Sequence, residues 1–446
     1  MDRGASSPFR RTAATAAVFL LLAAAAAGPA LGQARVPFPP IDGLIERPAD
    51  FEPLPRERPT IIEHYASACM PPHPELAWAA LPQDLREVTY ETMIGQLLMV
   101  SFGGNTPDSP GVAAARDALA RGEIGGVIAF RQNIASADDT RAINRMFHEA
   151  HPDFPAMIAV DQEGGAVTRV KPSEGAPATP SARDIAKGSV REAVAHYEAM
   201  AEHLADLGFT INFGPVVDLE VNPENPIIAR FGRSYGTDPA EVVKYARAFV
   251  RAHREAGLAT ALKHFPGHGS STDDSHEDAI DLTPTWTRIE LLPFVEMIRS
   301  GEADMVMLGH LDLEGLTGPD DLPASLSPRT IDEFLREALC YDGIVVSDDL
   351  HMQAVSSRWQ APEAAVKMIE AGGDIILFSL PAGGDEGGLP AVRAALLEAA
   401  ERSPGFADRL RHAYARVVHH KLDMAAGRTV SSRTGMPPER QWAEAR

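Results

Sequence analysis

Eight short apolar runs, each rich in Val, Ile, Leu or Met and separated by longer polar-apolar stretches, leave a chain like this few folds to choose from. They fall at residues 96–102, 124–130, 157–161, 210–217, 259–264, 304–309, 343–348 and 374–378. Strands buried on both faces read as continuous runs of this kind rather than as alternating patterns. Helical periodicity fills the gaps, most clearly over 190–207, 239–256, 328–339 and 361–371. Asp238 before Pro239, and Ser327 before Pro328, are expected to cap helices whose first turn carries the proline. Eight strands alternating with helices predict an α/β fold, a (β/α)8 TIM-type barrel built as one domain over residues 87–430. An open doubly wound sheet is the structural alternative.

The flanks read differently. Arg3, Arg10 and Arg11 precede an apolar run at 13–27 and the small residues Gly28, Pro29 and Ala30. Residues 1–34 are therefore expected to be a signal peptide, cleaved after Gly32 or Ala34. The run is short for a membrane span, so no stable membrane insertion is expected after cleavage, and export to the periplasm or medium is. Residues 35–86 are read as a Pro-rich arm, with 11 prolines between Val36 and Gln83, and 431–446 as a polar tail. The formal charge of −21 argues against a nucleic-acid partner, since phosphate is repelled at long range. Two cysteines, Cys69 and Cys340, permit one disulfide and no cysteine-rich metal site.

Polar residues gather where strands end: Asp161, Asp218, Lys263 with His264, His310, and Asp348 with Asp349. One such residue is ordinarily a satisfied structural ion pair. Five strand ends so marked predict a site at the barrel mouth, because isolated buried charges are costly. The run KHFPGHG at 263–269 is broken by Pro266, Gly267 and Gly269, so it must become a loop able to fold over a ligand. Asp274 two residues before His276 suits a carboxylate-imidazole proton shuttle. Metal binding through His264, His268, Asp273, Asp274 and His276 is the rival reading, without helical HExxH spacing to support it. No metal and no cofactor are expected.

KHFPGHG-x4-DSH, together with DQEGG at 161–165, Arg169, GRSYG at 232–236 and SDDLHM at 347–352, resembles family 3 glycoside hydrolases, specifically their β-N-acetylglucosaminidase branch. The resemblance implies a retaining exo-β-N-acetylglucosaminidase acting on a carbohydrate such as peptidoglycan fragments or chitooligosaccharides. It implies Asp348 as the nucleophile, Asp274 and His276 as the acid/base dyad, and Asp161, Arg169, Arg233, Lys263 and His264 as the groups holding the N-acetyl sugar. Asp349 competes with Asp348, but neighbouring residues on a strand point to opposite sides. Arg230 competes with Arg233, because IIARFGRSYG is longer than the shortest form of that loop in the family. Other members place a glutamate acid/base on a second domain. The short polar stretch beyond the barrel leads us to expect the histidine instead. A phosphorylase with the same residues is the alternative enzyme, since a neutral histidine does not repel phosphate. A non-catalytic glycan-binding barrel is the alternative of another class. Trp78, Trp286 and Trp359 are expected to pack rather than stack sugars.

Overall fold

Eight parallel strands form one ring, in the places the apolar runs mark. They are β1 Leu98–Ser101, β2 Gly126–Ala129, β3 Met157–Val160, β4 Ile211–Asn212, β5 Ala259–Phe265, β6 Met305–Leu308, β7 Ile344–Ser347 and β8 Ile376–Pro381. Each pairs with its chain neighbour, β8 pairs with β1, and a parallel bridge from Val346 to Ile375 joins β7 to the start of β8. The protein is therefore a (β/α)8 barrel, and the open-sheet alternative falls. The structure is a computed structural model describing residues 61–65, 74–274, 279–320, 322–381 and 388–426. The expected signal peptide, most of the Pro-rich arm, His276 and the polar tail lie outside the described residues.

The connecting helices are α1 Pro110–Ala120, α2 Ala137–His148, α3 Val190–Asp206, α4 Pro239–Glu255, α5 Leu292–Arg299, α6 Arg329–Ala338, α7 Ala361–Glu370 and α8 Leu389–Arg402, followed by α9 Pro404–Ala425. The caps act as the sequence implies. Asp238 Oδ1 accepts from Ala240 N at 2.8 Å, and Ser327 Oγ from Thr330 N at 3.3 Å. The helix at 329–338 is wound as a π-helix, its carbonyls accepting five or six residues on at Leu339 and Tyr341. Short helices stand at Ile61–Tyr65, Pro74–Ala80 and Gln83–Arg86, where an extended arm is expected. At 74–80 the reason is local: proline opens the turn and Glu, Leu and Ala continue it. Tyr65 packs edge-on to Phe334 of α6, and Trp78 against Tyr414 of α9. Among the described residues no helix is long and apolar enough to cross a membrane.

The bottom of the barrel, where strands begin, carries its own buried charges. Asp374, just before β8, accepts from Arg336 at 2.6 Å, Arg416 at 2.7 Å and Val345 N at 2.8 Å. Asp304, before β6, pairs with Arg254 at 2.7 Å. Lys421 of α9 donates to Gln96 Oε1 and Gly125 O, both neutral, and burial pulls its pKa down to about 7. Groups at this face hold the barrel shut, far from the mouth. Asp374→Asn would strand two buried guanidinium groups. It is expected to cost about 3–5 kcal/mol in urea unfolding, with kcat of the surviving folded fraction unchanged.

Candidate active site

The mouth is organised by a charge cluster that three segments bring together. β3 ends at Val160 and Asp161 leads into a short hairpin, so Asp161 and Glu163 alternate onto one side. β5 supplies Lys263, buried, whose Nζ donates to Asp161 Oδ1 at 2.7 Å and lies 2.8 Å from Glu163 Oε1. The β4–α4 loop supplies Arg233, which grips Glu163 through Nε and Nη2, both at 2.8 Å. Arg169 stands 3.7 Å from Asp161 Oδ2. Burial works against the Glu163 carboxylate, but Arg233 and Lys263 outweigh it and hold its pKa well below the ordinary range. The same carboxylates overcome burial at Lys263 and raise its pKa. Glu163, Lys263 and Arg233 are thus held in their charged forms.

His264 is fixed from both sides. Its Nδ1 lies 2.7 Å from Asp218 Oδ2 and its Nε2 lies 3.3 Å from Arg233 Nη2. A guanidinium only donates, so Nε2 accepts and Nδ1–H donates to Asp218. Asp218 also takes the backbone N–H groups of His264 and His268. Burial pushes the Asp218 carboxyl up, yet His264 and these bonds bring its pKa below normal. His268 is pushed down to about 4 by burial and by His264. His264 and Arg233 thus meet the other expected site residues at the mouth. Both ring nitrogens of His264 are taken, and Arg233 spends Nη1 on Ile227 O at 3.2 Å as well.

Asp348 and Asp349 are both half-buried where β7 ends. Asp349 Oδ1 accepts from His351 N and Ser379 N, each at 3.0 Å, which ties β7 to β8. Its carbonyl accepts from His310 Nε2 at 2.9 Å, while His310 Nδ1 meets Ser325 Oγ at 2.7 Å. Asp349 and His310 are therefore structural. Asp348 follows β7 directly, half-buried, with Asp349 N donating to its Oδ1 at 2.8 Å.

The loop after β5 departs from expectation. Residues 266–271 are buried rather than free to swing. Asn222 N donates to Gly269 O at 3.0 Å, Asn222 Nδ2 to Ser271 O at 2.8 Å, and Asn225 Nδ2 to His268 O at 2.8 Å. A side chain at Gly269 would overlap the Leu219 carbonyl. Trp286, read as packing, holds Pro266 O through Nε1 at 3.2 Å. Thr272 and Asp273 are exposed and Asp274 is half-buried, so any flap begins only after Ser271. His276 lies outside the described residues. Among the described residues no group of three or more His, Cys, Asp or Glu is placed to hold a metal ion.

Reading the sequence by strand ends missed two residues. Glu163 sits two positions past Asp161 inside DQEGG, where the alternation of an extended segment could have found it. Glu290 has no such signal. It is wholly buried and accepts from Ser270 N and Thr287 N, both at 3.1 Å. Burial raises its pKa to about 7 against the pull of those N–H groups.

A polar cluster balanced in charge at the strand-end mouth of a (β/α)8 barrel is where enzymes of this fold keep their active sites. The chain belongs to glycosyl hydrolase family 3: residues 89–400 match the glycosyl hydrolase family 3 N-terminal domain. It is 31% identical over 330 residues to beta-hexosaminidase A of Pseudoalteromonas piscicida, covering 66% of this chain and 54% of that protein. It is 38% identical over 234 residues to the beta-hexosaminidase LpqI of Mycobacterium tuberculosis, covering 50% and 58%. The chain thus spans little more than half the length of these two relatives. A family 3 β-N-acetylglucosaminidase structure from Paenibacillus superposes with a TM-score of 0.69 at 33% identity, over 76% of this chain and 63% of that one. A β-N-acetylhexosaminidase structure from Beutenbergia cavernae gives 0.68 at 30% identity, over 75% and 99%.

Glu290 binds its proton more tightly folded than unfolded. The stability it lends is full below about pH 4.5 and lost as the pH rises through about 7. Glu290→Gln is expected to flatten the fall in urea-unfolding free energy between pH 5 and pH 8. Parallel curves for the two proteins would show that the carboxyl does not titrate in that window.

Proposed function

We propose that this protein is a retaining exo-β-N-acetylglucosaminidase that removes terminal β-linked N-acetylglucosamine from peptidoglycan fragments or chitooligosaccharides, exported by way of residues 1–34. The observation that carries this reading is the place of Asp348, directly after β7 at the strand-end mouth of a family 3 barrel, beside an Asp349 whose Oδ1 takes the backbone N–H groups of His351 and Ser379. The names of the relatives support the same sugar class.

In this reading Asp161 accepts from ring hydroxyls, with Lys263 and Arg169 donating beside it. Arg233 and His264 keep that face in register. Asp348 attacks the anomeric carbon while His276, paired with Asp274, protonates the departing oxygen. A glycosyl-Asp348 ester forms, and a water deprotonated by His276 then releases the sugar with its configuration retained. Carboxylate and imidazole replace the usual two carboxylates. With residues 266–271 pinned, the segment carrying Asp274 and His276 closes on substrate as a short flap hinged after Ser271.

The test is release of a chromophore from an aryl β-N-acetylglucosaminide. Asp348→Ala is expected to lower kcat by at least about a thousandfold with the melting temperature preserved. Asp349→Asn should instead lower the melting temperature first. Full activity in Asp348→Ala would remove the nucleophile. Turnover that requires phosphate and yields sugar 1-phosphate would make the protein a phosphorylase, and glycan binding with no turnover a lectin-like barrel. Activity lost on chelation would point to a metal.

A further inference from the structure

β3 and β4 run side by side only as far as Val160 and Asn212, where Phe213 N donates to Val160 O at 2.9 Å. Beyond that point a side chain continues the ladder. Asn212 Oδ1 accepts from Gln162 N, and Asn212 Nδ2 donates to Gln162 O, both at 2.9 Å. Asn212 Nδ2 also meets His253 Nε2 of α4 at 2.9 Å. His253 Nδ1 lies 2.8 Å from Phe249 O, which can only accept, so Nδ1 carries the proton and Nε2 takes one from Asn212. Burial keeps this imidazole neutral by lowering its pKa to about 4.

Gln162, itself buried, passes this order across the hairpin. Its Oε1 accepts from Arg169 N at 2.8 Å and Val170 N at 3.0 Å, and its Nε2 donates to Val170 O at 2.9 Å. Neither amide can be turned over, because a flip would set N–H against N–H and oxygen against oxygen. Every bond from Phe249 to Arg169 therefore has one direction. Asp161 and Glu163 flank Gln162 in an extended segment and face the other way, towards Lys263. The Arg169 side chain is held far less firmly. Its Nη2 stops 3.7 Å from Asp161, and its Nε makes no hydrogen bond among the described residues.

We propose that Gln162, aimed by Asn212 and His253, is a positioning residue that sets Asp161 and Arg169 at the spacing needed to grip the sugar. It touches no substrate itself. The inference rests on the reading above of Asp161 and Arg169 as sugar-holding groups, and adds what keeps them in register. A buried amide does this without placing another charge beside the cluster, and it is tolerated because each of its bonds is made.

The experiment measures kcat and KM for an aryl β-N-acetylglucosaminide. Gln162→Met keeps the volume and loses every side-chain bond, so KM is expected to rise about tenfold with kcat within about threefold. A merely destabilised protein would lose active molecules instead, lowering kcat at unchanged KM. Asn212→Asp keeps the acceptor for Gln162 N and loses both donors. It is expected to raise KM about threefold alone and to add nothing in combination with Gln162→Met. Gln162→Glu gives a second readout that does not depend on the fold of the first variant. Ionised, the new carboxylate opposes Val170 O; protonated, it donates there as the amide does. Its kcat/KM relative to the unsubstituted protein is expected to recover at least about fivefold from pH 8 to pH 5. An unchanged KM in Gln162→Met, or a Gln162→Glu ratio flat with pH, would overturn the inference and leave the hydrolase reading standing. No turnover by the unsubstituted protein would overturn both.

Discussion

Lys263 sits in the floor of the mouth with its ammonium buried, and the two carboxylates that make this tolerable arrive on a different strand. Desolvating one ammonium costs several kcal/mol unless partners are in place. Asp161 and Glu163 are in place because β3 ends in an extended stretch that turns both to the same side. Glu163 in turn needs Arg233, which only the long β4–α4 excursion can deliver. The cluster is thus assembled by charge pairing across three segments. Asp218 does the same for the next strand, fixing the tautomer of His264 and the start of the loop beyond it.

The two ends of the barrel use buried charge for opposite purposes. At the bottom, Asp374 and Asp304 are saturated by arginines and backbone N–H groups, which closes the ring and leaves nothing for a ligand. At the top, Asp161 is paired with Lys263 and Arg169 where the barrel opens.

Much of this was legible in the sequence because it rests on local rules. The eight strands follow from short β-rich apolar runs, and the caps at Asp238 and Ser327 from proline placement. The Asp348–Asp349 ambiguity was also visible, since adjacent residues on a strand diverge, while the amides of His351 and Ser379 that hold Asp349 were not. What was not legible depends on contacts far apart in the chain. The glycines and proline of KHFPGHG suggest a free loop, yet Gly269 is there to admit the Leu219 carbonyl, and the loop is clamped by Asn222 and Asn225. The contacts of both His264 ring nitrogens, with Asp218 and Arg233, likewise join residues far apart in the chain. Glu290 sits in an unremarkable helical turn, and only tertiary burial makes it unusual.

The central claim is that Asp348 becomes covalently bonded to the sugar. Incubation with a 5-fluoro-N-acetylglucosaminyl fluoride, which slows the breakdown of such an ester, followed by proteolysis and peptide mass spectrometry, tests it directly. The label is expected on the peptide containing Asp348 and, on fragmentation, on that residue. Label on Asp349, Asp161 or Glu163, or stoichiometric inactivation with the Asp348 peptide unmodified, would contradict it.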